Sequence, residues 1–338
     1  MCVLKFFVDS SNLSFPRVHI YKKIFVYIIA IFFALFVYLF TKLYIIFELS
    51  FKCLYIVLLY EYYGDVTHFG RSYMKILISN DDGIAANGIR VLTQALSEEH
   101  EIYVVAPDRE RSAAGHSLTL HTPLRVEELE SISGAKKTWV TTGTPGDCVK
   151  IGINAILAKE ERPDLVISGI NHGPNLGADI LYSGTVSCAM EGAMMGIPSI
   201  AVSLASLNCD YEDFEYTGTF IKTMLKKLDS FSFPPKTILN VNVPALETED
   251  IAGIAITELG KRLFTDTYEK RIDPRGKVYY WMAGELISEP QDANTDIAAV
   301  QNNKISITPV TYEMTRREVM SDLNKIMCKE NFCNWFSD

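Results

Sequence analysis

Short apolar runs alternate with segments of helical periodicity along this chain from Met74 onward. That alternation is typical of a parallel sheet covered by helices, since each helix returns the chain to the next strand. The predicted strands are 75–79, 102–106, 165–168, 199–203 and 238–244. The predicted helices are 88–96, 145–157, 185–196 and 210–231. The expected fold is α/β, with a Rossmann-like, mostly parallel sheet and helices on both faces.

The pattern changes beyond residue 245. Segments 251–260 and 277–286 are predicted to be antiparallel strands, with the DPRG sequence at 273–276 as the turn between them. A further strand at 304–310 and a helix at 315–327 are expected to follow. Because the hairpin is rich in Tyr and Trp, its exposure to water would be unfavourable. We predict an oligomerisation arm at about 251–290, and a hairpin folded back on its own domain is the alternative.

The first 73 residues differ from the rest of the chain. Residues 24–40 form an uninterrupted apolar and aromatic run, slightly shorter than the roughly 20 residues that span a bilayer. Either this segment anchors the protein in a membrane, or translation starts at Met74 and the protein is cytoplasmic. The expected domains are an extension at 1–73, a catalytic domain at 74–330 and a tail at 331–338.

The body of the chain is acidic. The formal net charge of the whole protein is −9; the first 73 residues carry seven Lys or Arg and four Asp or Glu, a balance of +3, so the remaining 265 carry a balance of −12. This charge argues against a partner that is a nucleic-acid polymer. An acidic protein that handles a phosphorylated ligand needs a cation or backbone amides to offset repulsion. The seven cysteines are scattered and contain no C-x-x-C pair, so a zinc ribbon is not expected.

Polar residues follow three of the predicted strands. The first strand ends in Asn80, Asp81, Asp82 and Gly83, and similar polar stretches follow at 108–116 and 169–175. In an open α/β sheet, ligands bind beyond the carboxyl ends of the strands. Two adjacent carboxylates, with a hydroxyl and an amide, suit a hard cation such as Mg²⁺ or Mn²⁺. The alternative is that Asp81 caps the turn and Asp82 faces solvent.

Ser183, Gly184 and Thr185 open a predicted helix. Backbone amides and the positive end of the helix dipole make such a start an anion site, although any Ser or Thr cap has the same sequence. The chain has neither a G-x-x-x-x-G-K-[ST] sequence nor a G-x-G-x-x-G after a strand, so a nucleotide-triphosphate P-loop and a dinucleotide fingerprint are both disfavoured.

Several segments, taken together and in this order, resemble the stationary-phase survival protein SurE family. They are ILISNDDGIAANGI, VVAPDRERSAAGHSLTL, TTGTPGDCVKIGI, DLVISGINHGPNLGADILYSGTVSCAMEGAMMGIPSIAVS, KVYYWMAGE and ISITPV, and they extend from Met74 to about Met327. The resemblance implies a metal-dependent nucleotidase that forms dimers or higher oligomers, joined partly through the C-terminal hairpin. The family's basic cluster is only partly present here, as Lys261 and Arg262.

The resemblance also implies the site residues. One divalent cation per subunit, Mg²⁺ or Mn²⁺, would be bound by Asp81, Asp82, Ser112 and Asn171. The predicted phosphate contacts are Asn80, Ser183, Gly184 and Thr185. Asp81 or Asp82 could also act in catalysis by orienting the attacking water. Apart from the resemblance, His116 is a candidate proton donor to the leaving oxygen, and the alternative is a surface or turn-stabilising histidine.

The implied reaction is hydrolysis of nucleoside 5′-monophosphates, with 3′-monophosphates as a further substrate class. The implied assembly is a homodimer or homotetramer. Two alternatives remain at this point. One is a metal-dependent transferase that uses a nucleotide. The other is a non-catalytic nucleotide sensor tethered to a membrane through residues 24–40.

Overall fold

The computed structural model describes residues 73–265, 267–287 and 289–327. The predictions about the N-terminal extension, including the apolar run at 24–40, and about the tail at 331–338 lie outside these residues. In the described residues, no helix combines the length and the hydropathy needed to cross a membrane.

A sheet of nine strands organises the described part of the chain, in the order β3-β4-β2-β1-β5-β6-β7-β13-β8. Its strands are β1 (Lys75–Ser79), β2 (Glu101–Pro107), β3 (Val126–Leu129), β4 (Lys137–Thr141), β5 (Leu165–His172), β6 (Ser199–Leu204), β7 (Thr237–Val243), β8 (Gly253–Ile256) and β13 (Lys304–Thr311). The six strands from β4 to β7 in this order are parallel. All five strands predicted in this region are confirmed.

Six α-helices accompany the described strands: α1 (Asn87–Ser97), α2 (Pro145–Ile151), α3 (Gly184–Met194), α4 (Tyr211–Lys227), α5 (Asp296–Gln301) and α6 (Arg317–Met327). The predicted helix at 145–157 changes to π-helical geometry at Gly152–Ile156. Thr144 begins α2 with a capping box to Asp147, and Pro145 fits the first helical turn because its missing N–H is not needed there.

The central strands are buried on both faces, which explains their nearly continuous apolar sequence. Ile76 and Ile78 of β1 lie in the core formed with α1 and α4. Leu77 points the opposite way, into a second core with residues of α2. Because strand side chains alternate between faces, β1 joins the two helical layers. The prediction of a mostly parallel sheet with helices on both faces is confirmed.

The predicted pairing in the C-terminal region was wrong in one respect. Segment 251–260 contains β8, which joins the large sheet parallel to β13 instead of pairing with 277–286. The hairpin is formed by β10 (Tyr268–Ile272) and β11 (Val278–Met282), and DPRG closes it as predicted. A second small antiparallel pair is formed by β9 (Leu263–Phe264) and β12 (Leu286–Ile287). The prediction of a strand within 251–260 was correct, but its hydrogen-bonding partner is β13.

Candidate functional site

The turn after β1 is held tightly at the carboxyl edge of the sheet. Asn80 is fully buried, and its Nδ2 donates to the Gly83 carbonyl at 2.9 Å. Gly83 has a φ of +95°, and a β-carbon there would lie 3.0 Å from the carbonyl carbon of Arg109. Glycine is therefore needed both for the backbone conformation and for the close approach. The turn presents Asp81 and Asp82 at a fixed place.

A bulge in β5 brings Asn171 to the same edge. Ser168 pairs with Ala201 of β6, whereas Asn171 pairs with Ser203, so β5 contains one extra residue. A bulge of this kind re-aims the side chains that follow it. The Asn171 amide nitrogen donates to the Gly173 carbonyl at 2.8 Å, which leaves its carbonyl oxygen Oδ1 turned to the site.

The start of α3 connects the aspartate turn with β5. The Thr185 hydroxyl donates to Asp81 Oδ1 and lies 3.2 Å from Asn171 Oδ1. A β-carbon on Gly184 would lie 2.6 Å from the Asp81 β-carbon, so only glycine lets the helix start approach this closely. Ser183 caps the helix by accepting from the Val186 amide at 3.0 Å. The Ser183 side chain therefore caps the helix, and Thr185 contacts Asp81 and Asn171, two of the predicted cation ligands.

The ionised forms of Asp81 and Asp82 are electrostatically unfavourable in their surroundings. Burial raises the pKa of Asp81, although hydrogen bonds from Thr185 and the amides of Thr185 and Gly184 oppose the rise. Burial, followed by the charge of Asp81, raises the pKa of Asp82 to about 6. Asp82 accepts one hydrogen bond from the His172 amide at 3.1 Å. No described Lys or Arg forms an ion pair with either aspartate.

These donors fit a hard divalent cation. The site supplies two carboxylates, the Asn171 carbonyl oxygen and the Thr185 hydroxyl, and oxygen ligands are what Mg²⁺ and Mn²⁺ prefer. The described residues contain no group of three His, Cys, Asp or Glu able to hold a metal. An ion at the aspartates would therefore complete its coordination with neutral oxygens and water. Asn80 Oδ1 is buried and has no hydrogen-bond partner among the described residues.

Ser112 is the predicted ligand that the structure does not bring to the aspartates. Its side chain is exposed, and its hydroxyl donates to Glu110 Oε1 at 2.7 Å. The loop itself is nearby, since the Arg111 amide donates to the Asp81 carbonyl at 2.7 Å. The cation-binding roles of Asp81, Asp82, Ser112 and Asn171 and the phosphate-binding roles of Asn80, Ser183, Gly184 and Thr185 stay predictions.

His116, the candidate proton donor, forms a hydrogen bond to a carboxylate other than Asp81 and Asp82. Its Nε2 lies 2.9 Å from Oε1 of Glu191, a buried residue of α3 that was not among the predicted site residues. His172 is likewise engaged, with its Nε2 at 3.1 Å from the Leu207 carbonyl. A signal for Glu191 existed, since it is the sole charged residue in the small and apolar helix 184–194.

A cavity of about 170 Å³ lies beside the loop that follows β5. Its lining includes Pro174, Leu176, Lys261 and Arg262. The Arg262 guanidinium Nε is 3.0 Å from Asp179 Oδ2, and it also lies over the ring of Phe264. The two basic residues noted in the sequence therefore face a cavity at the carboxyl edge of the sheet.

The sequence is similar to those of proteins with the SurE name. The sequence profile described as "Survival protein SurE" matches residues 76–266. The 5′-nucleotidase SurE of Thermosynechococcus vestitus is 52% identical over 258 residues, covering 75% of this chain and 96% of that protein. The 5′-nucleotidase SurE of Pelotomaculum thermopropionicum is 52% identical over 255 residues, covering 75% of this chain and 95% of that protein. The chain belongs to the SurE family.

A solved SurE structure agrees with this assignment. The crystal structure of the SurE protein from Aquifex aeolicus is 43% identical, with a TM-score of 0.64, and the match covers 74% of this chain and 98% of that one. The family resemblance drawn from the sequence is confirmed. The SurE match spans the aspartate turn, the bulged strand β5 and the start of α3.

Proposed function

We propose that this SurE-family protein is a divalent-cation-dependent 5′-nucleotidase that hydrolyses nucleoside monophosphates to nucleoside and phosphate. The observation that supports it most is the adjacent pair of Asp81, which is buried, and Asp82, which is half-buried; both have raised pKa values, and neither forms an ion pair with a described Lys or Arg. Such a pair calls for a cation. The names of the relatives favour hydrolysis over the transferase and sensor alternatives.

One Mg²⁺ or Mn²⁺ per subunit is the proposed cofactor. Asp81, Asp82 and Asn171 would hold it from the turn and the bulged strand. Ser112 would join them after its hydroxyl leaves Glu110 Oε1, a bond on an exposed surface that water can replace at little cost. When bound, such an ion polarises phosphoryl oxygens and lowers the pKa of a coordinated water.

The first turn of α3 would receive the phosphate. Its Gly184 and Thr185 amides already approach a negative group, the Asp81 carboxylate. With an ion beside that carboxylate, the same amides and the positive end of the helix dipole favour a phosphate oxygen. Ser183 fixes the helix start, and Asn80 keeps the aspartate turn closed.

The bond changes follow from hydrolysis. The oxygen of water forms a bond to phosphorus, the ester P–O bond breaks on the opposite side, and the nucleoside hydroxyl leaves with a proton. A carboxylate of Asp81 or Asp82 would orient the water and take its proton. Because His116 is bonded to Glu191, the leaving oxygen receives its proton from water in this proposal.

The decisive experiment measures phosphate release from a panel of 5′- and 3′-nucleoside monophosphates in Mg²⁺, in Mn²⁺ and in EDTA. Phosphate release that requires the cation and no acceptor supports a phosphatase. Release only when an alcohol acceptor is supplied would indicate the transferase. Tight nucleotide binding in Mn²⁺ without any release would indicate the sensor.

A homodimer or homotetramer is the proposed assembly, with the hairpin β10–β11 as the contact. Tyr280, Trp281 and Met282 are 59%, 61% and 76% exposed in the single chain. Adjacent apolar side chains at such exposure are typical of an interface.

If the protein starts at Met74, we expect it to act in the cytoplasm.

A further inference from the structure

The loop at 108–120, which carries Ser112, has no helix or strand of its own. Main-chain bonds attach it near both of its ends. The Arg111 amide donates to the Asp81 carbonyl, and the Thr119 amide donates to the carboxylate of Asp147 in α2. Between them, the Gly115 amide donates to the Tyr182 carbonyl at 3.0 Å, just before α3. The loop therefore lies against the two helices that border the site.

His116 makes the side-chain contact that connects the middle of this loop with the interior. Its Nε2 donates to Glu191 Oε1 at 2.9 Å, and the other carboxylate oxygen accepts from Lys150 Nζ of α2 at 3.1 Å. Glu191 is only 2% exposed, whereas His116 and Lys150 are partly accessible. One buried carboxylate thus joins the loop, α2 and α3.

Burial alone would raise the pKa of Glu191, but the bonds from His116 and Lys150 outweigh it and hold that pKa below its ordinary value. The carboxylate is therefore ionised at neutral pH, and the histidine nitrogen that faces it carries a proton. Lys150 already supplies a counter-charge for the buried carboxylate. What His116 adds is the attachment of the loop.

Glu191 belongs to the same helix as Thr185, whose hydroxyl contacts Asp81 and Asn171. We propose that His116 and Glu191 are positioning residues of the cation site, which hold the Ser112 loop in one arrangement relative to the start of α3. This inference rests on the proposed function, because it takes Ser112 as a ligand. Groups that orient ligands in this way commonly change metal affinity about 10- to 100-fold when they are removed.

The test compares His116→Ala with His116→Gln in the full-length protein. Glutamine can still donate to the Glu191 carboxylate, whereas alanine cannot. We expect His116→Ala to weaken Mn²⁺ binding to the substrate-free protein about 10-fold or more, measured by titration calorimetry. We expect His116→Gln to stay within about threefold of the wild type, and kcat at saturating Mn²⁺ to recover in both variants.

Lys150→Met is the matched control, since it removes the other bond to Glu191 without touching the loop. It should lower the midpoint of thermal unfolding and leave the Mn²⁺ dissociation constant unchanged. If His116→Ala behaved in the same way, or if His116→Gln lost as much Mn²⁺ affinity as His116→Ala, the positioning role would be refuted. A wild type that binds no Mn²⁺ would overturn the proposed function and this inference with it, whereas the preceding outcomes overturn the inference alone.

Discussion

Replacing Asp82 with Asn should stabilise the cation-free protein while it removes most of the activity. The exchange keeps the shape of the side chain, and the amide oxygen can still accept from the His172 amide. It removes one of two adjacent carboxylate charges, neither of which forms an ion pair with a described Lys or Arg. A substitution at a residue needed for function would then raise the free energy of unfolding.

The magnitude follows from the pKa of Asp82. A carboxyl group whose pKa rises from 3.8 to about 6 on folding binds its proton more tightly in the folded state. The cation-free protein therefore loses stability as pH rises between these values, and above pH 6 the loss is about 2 to 3 kcal/mol. For a domain of this size, removing that loss should raise the midpoint of thermal unfolding by about 4 to 12 °C.

The assay is unfolding of the wild type and Asp82→Asn in EDTA from pH 4 to pH 8. Near pH 4 the two should be about equal, because Asp82 is protonated in the folded wild type. Their difference should grow between pH 4 and pH 6 and then stay constant. Mn²⁺ at pH 7.5 should stabilise the wild type but not the variant, and phosphate release by the variant should fall on the order of 100-fold or more.

Asp229→Asn is the control, since it removes an exposed carboxylate far along the chain from the site. It should change neither the pH dependence of stability nor the response to Mn²⁺. A constant separation between wild type and Asp82→Asn across the whole pH range would refute the electrostatic reasoning. Near wild-type phosphate release by Asp82→Asn after EDTA treatment would refute the cation assignment.

Three further predictions concern the phosphate contact, the N-terminus and the hairpin. Thr185→Val should raise KM for a nucleoside monophosphate by about 10-fold or more, because one charge-assisted hydrogen bond to the phosphate is lost, whereas Thr185→Ser should stay near wild type. An unchanged KM with weaker Mn²⁺ binding would mean that Thr185 orients the cation ligands and does not bind the phosphate. Protein that starts at Met74 should be soluble, oligomeric and fully active in phosphate release, and loss of folding, measured by circular dichroism, would show that residues 1–73 belong to the enzyme. Trp281→Glu, which places a charge in the exposed hairpin, should lower the mass measured by light scattering without changing the unfolding midpoint of the remaining subunit; an unchanged mass would mean that the hairpin is not the interface.

The sequence predicted the strands that are buried on both faces. Segments such as 75–79 and 199–203 are apolar and short, and flanking turns fix their ends, so their local pattern suffices. The aspartate turn and the stretch 169–175 were predicted to lie beyond the carboxyl ends of neighbouring strands, and Thr185 contacts both Asp81 and Asn171. The rule that ligands bind beyond the carboxyl ends of strands made this possible.

Other features could not be predicted because they depend on distant partners. The strand β3, with the sequence VEEL, is largely exposed and acquires its structure from antiparallel pairing with β4. For β8, the choice between β13 and a hairpin partner is a choice of long-range strand pairing, which local periodicity does not encode. The rotamer that directs Ser112 to Glu110 and the burial of the charged Glu191 are likewise decided by tertiary packing.

The central place of β1 in the sheet has a consequence for the order of folding. β1 pairs with β2, which follows it closely in the chain, but its other neighbour is β5, which comes much later. Asn171 and the start of α3 reach the aspartates only after that long loop has closed, and closing such loops is the slow part of folding. The ligands of a cation at the proposed site would thus come together only late in folding. Mn²⁺ should therefore slow unfolding far more than it speeds refolding, acting on the unfolding limb of the kinetics.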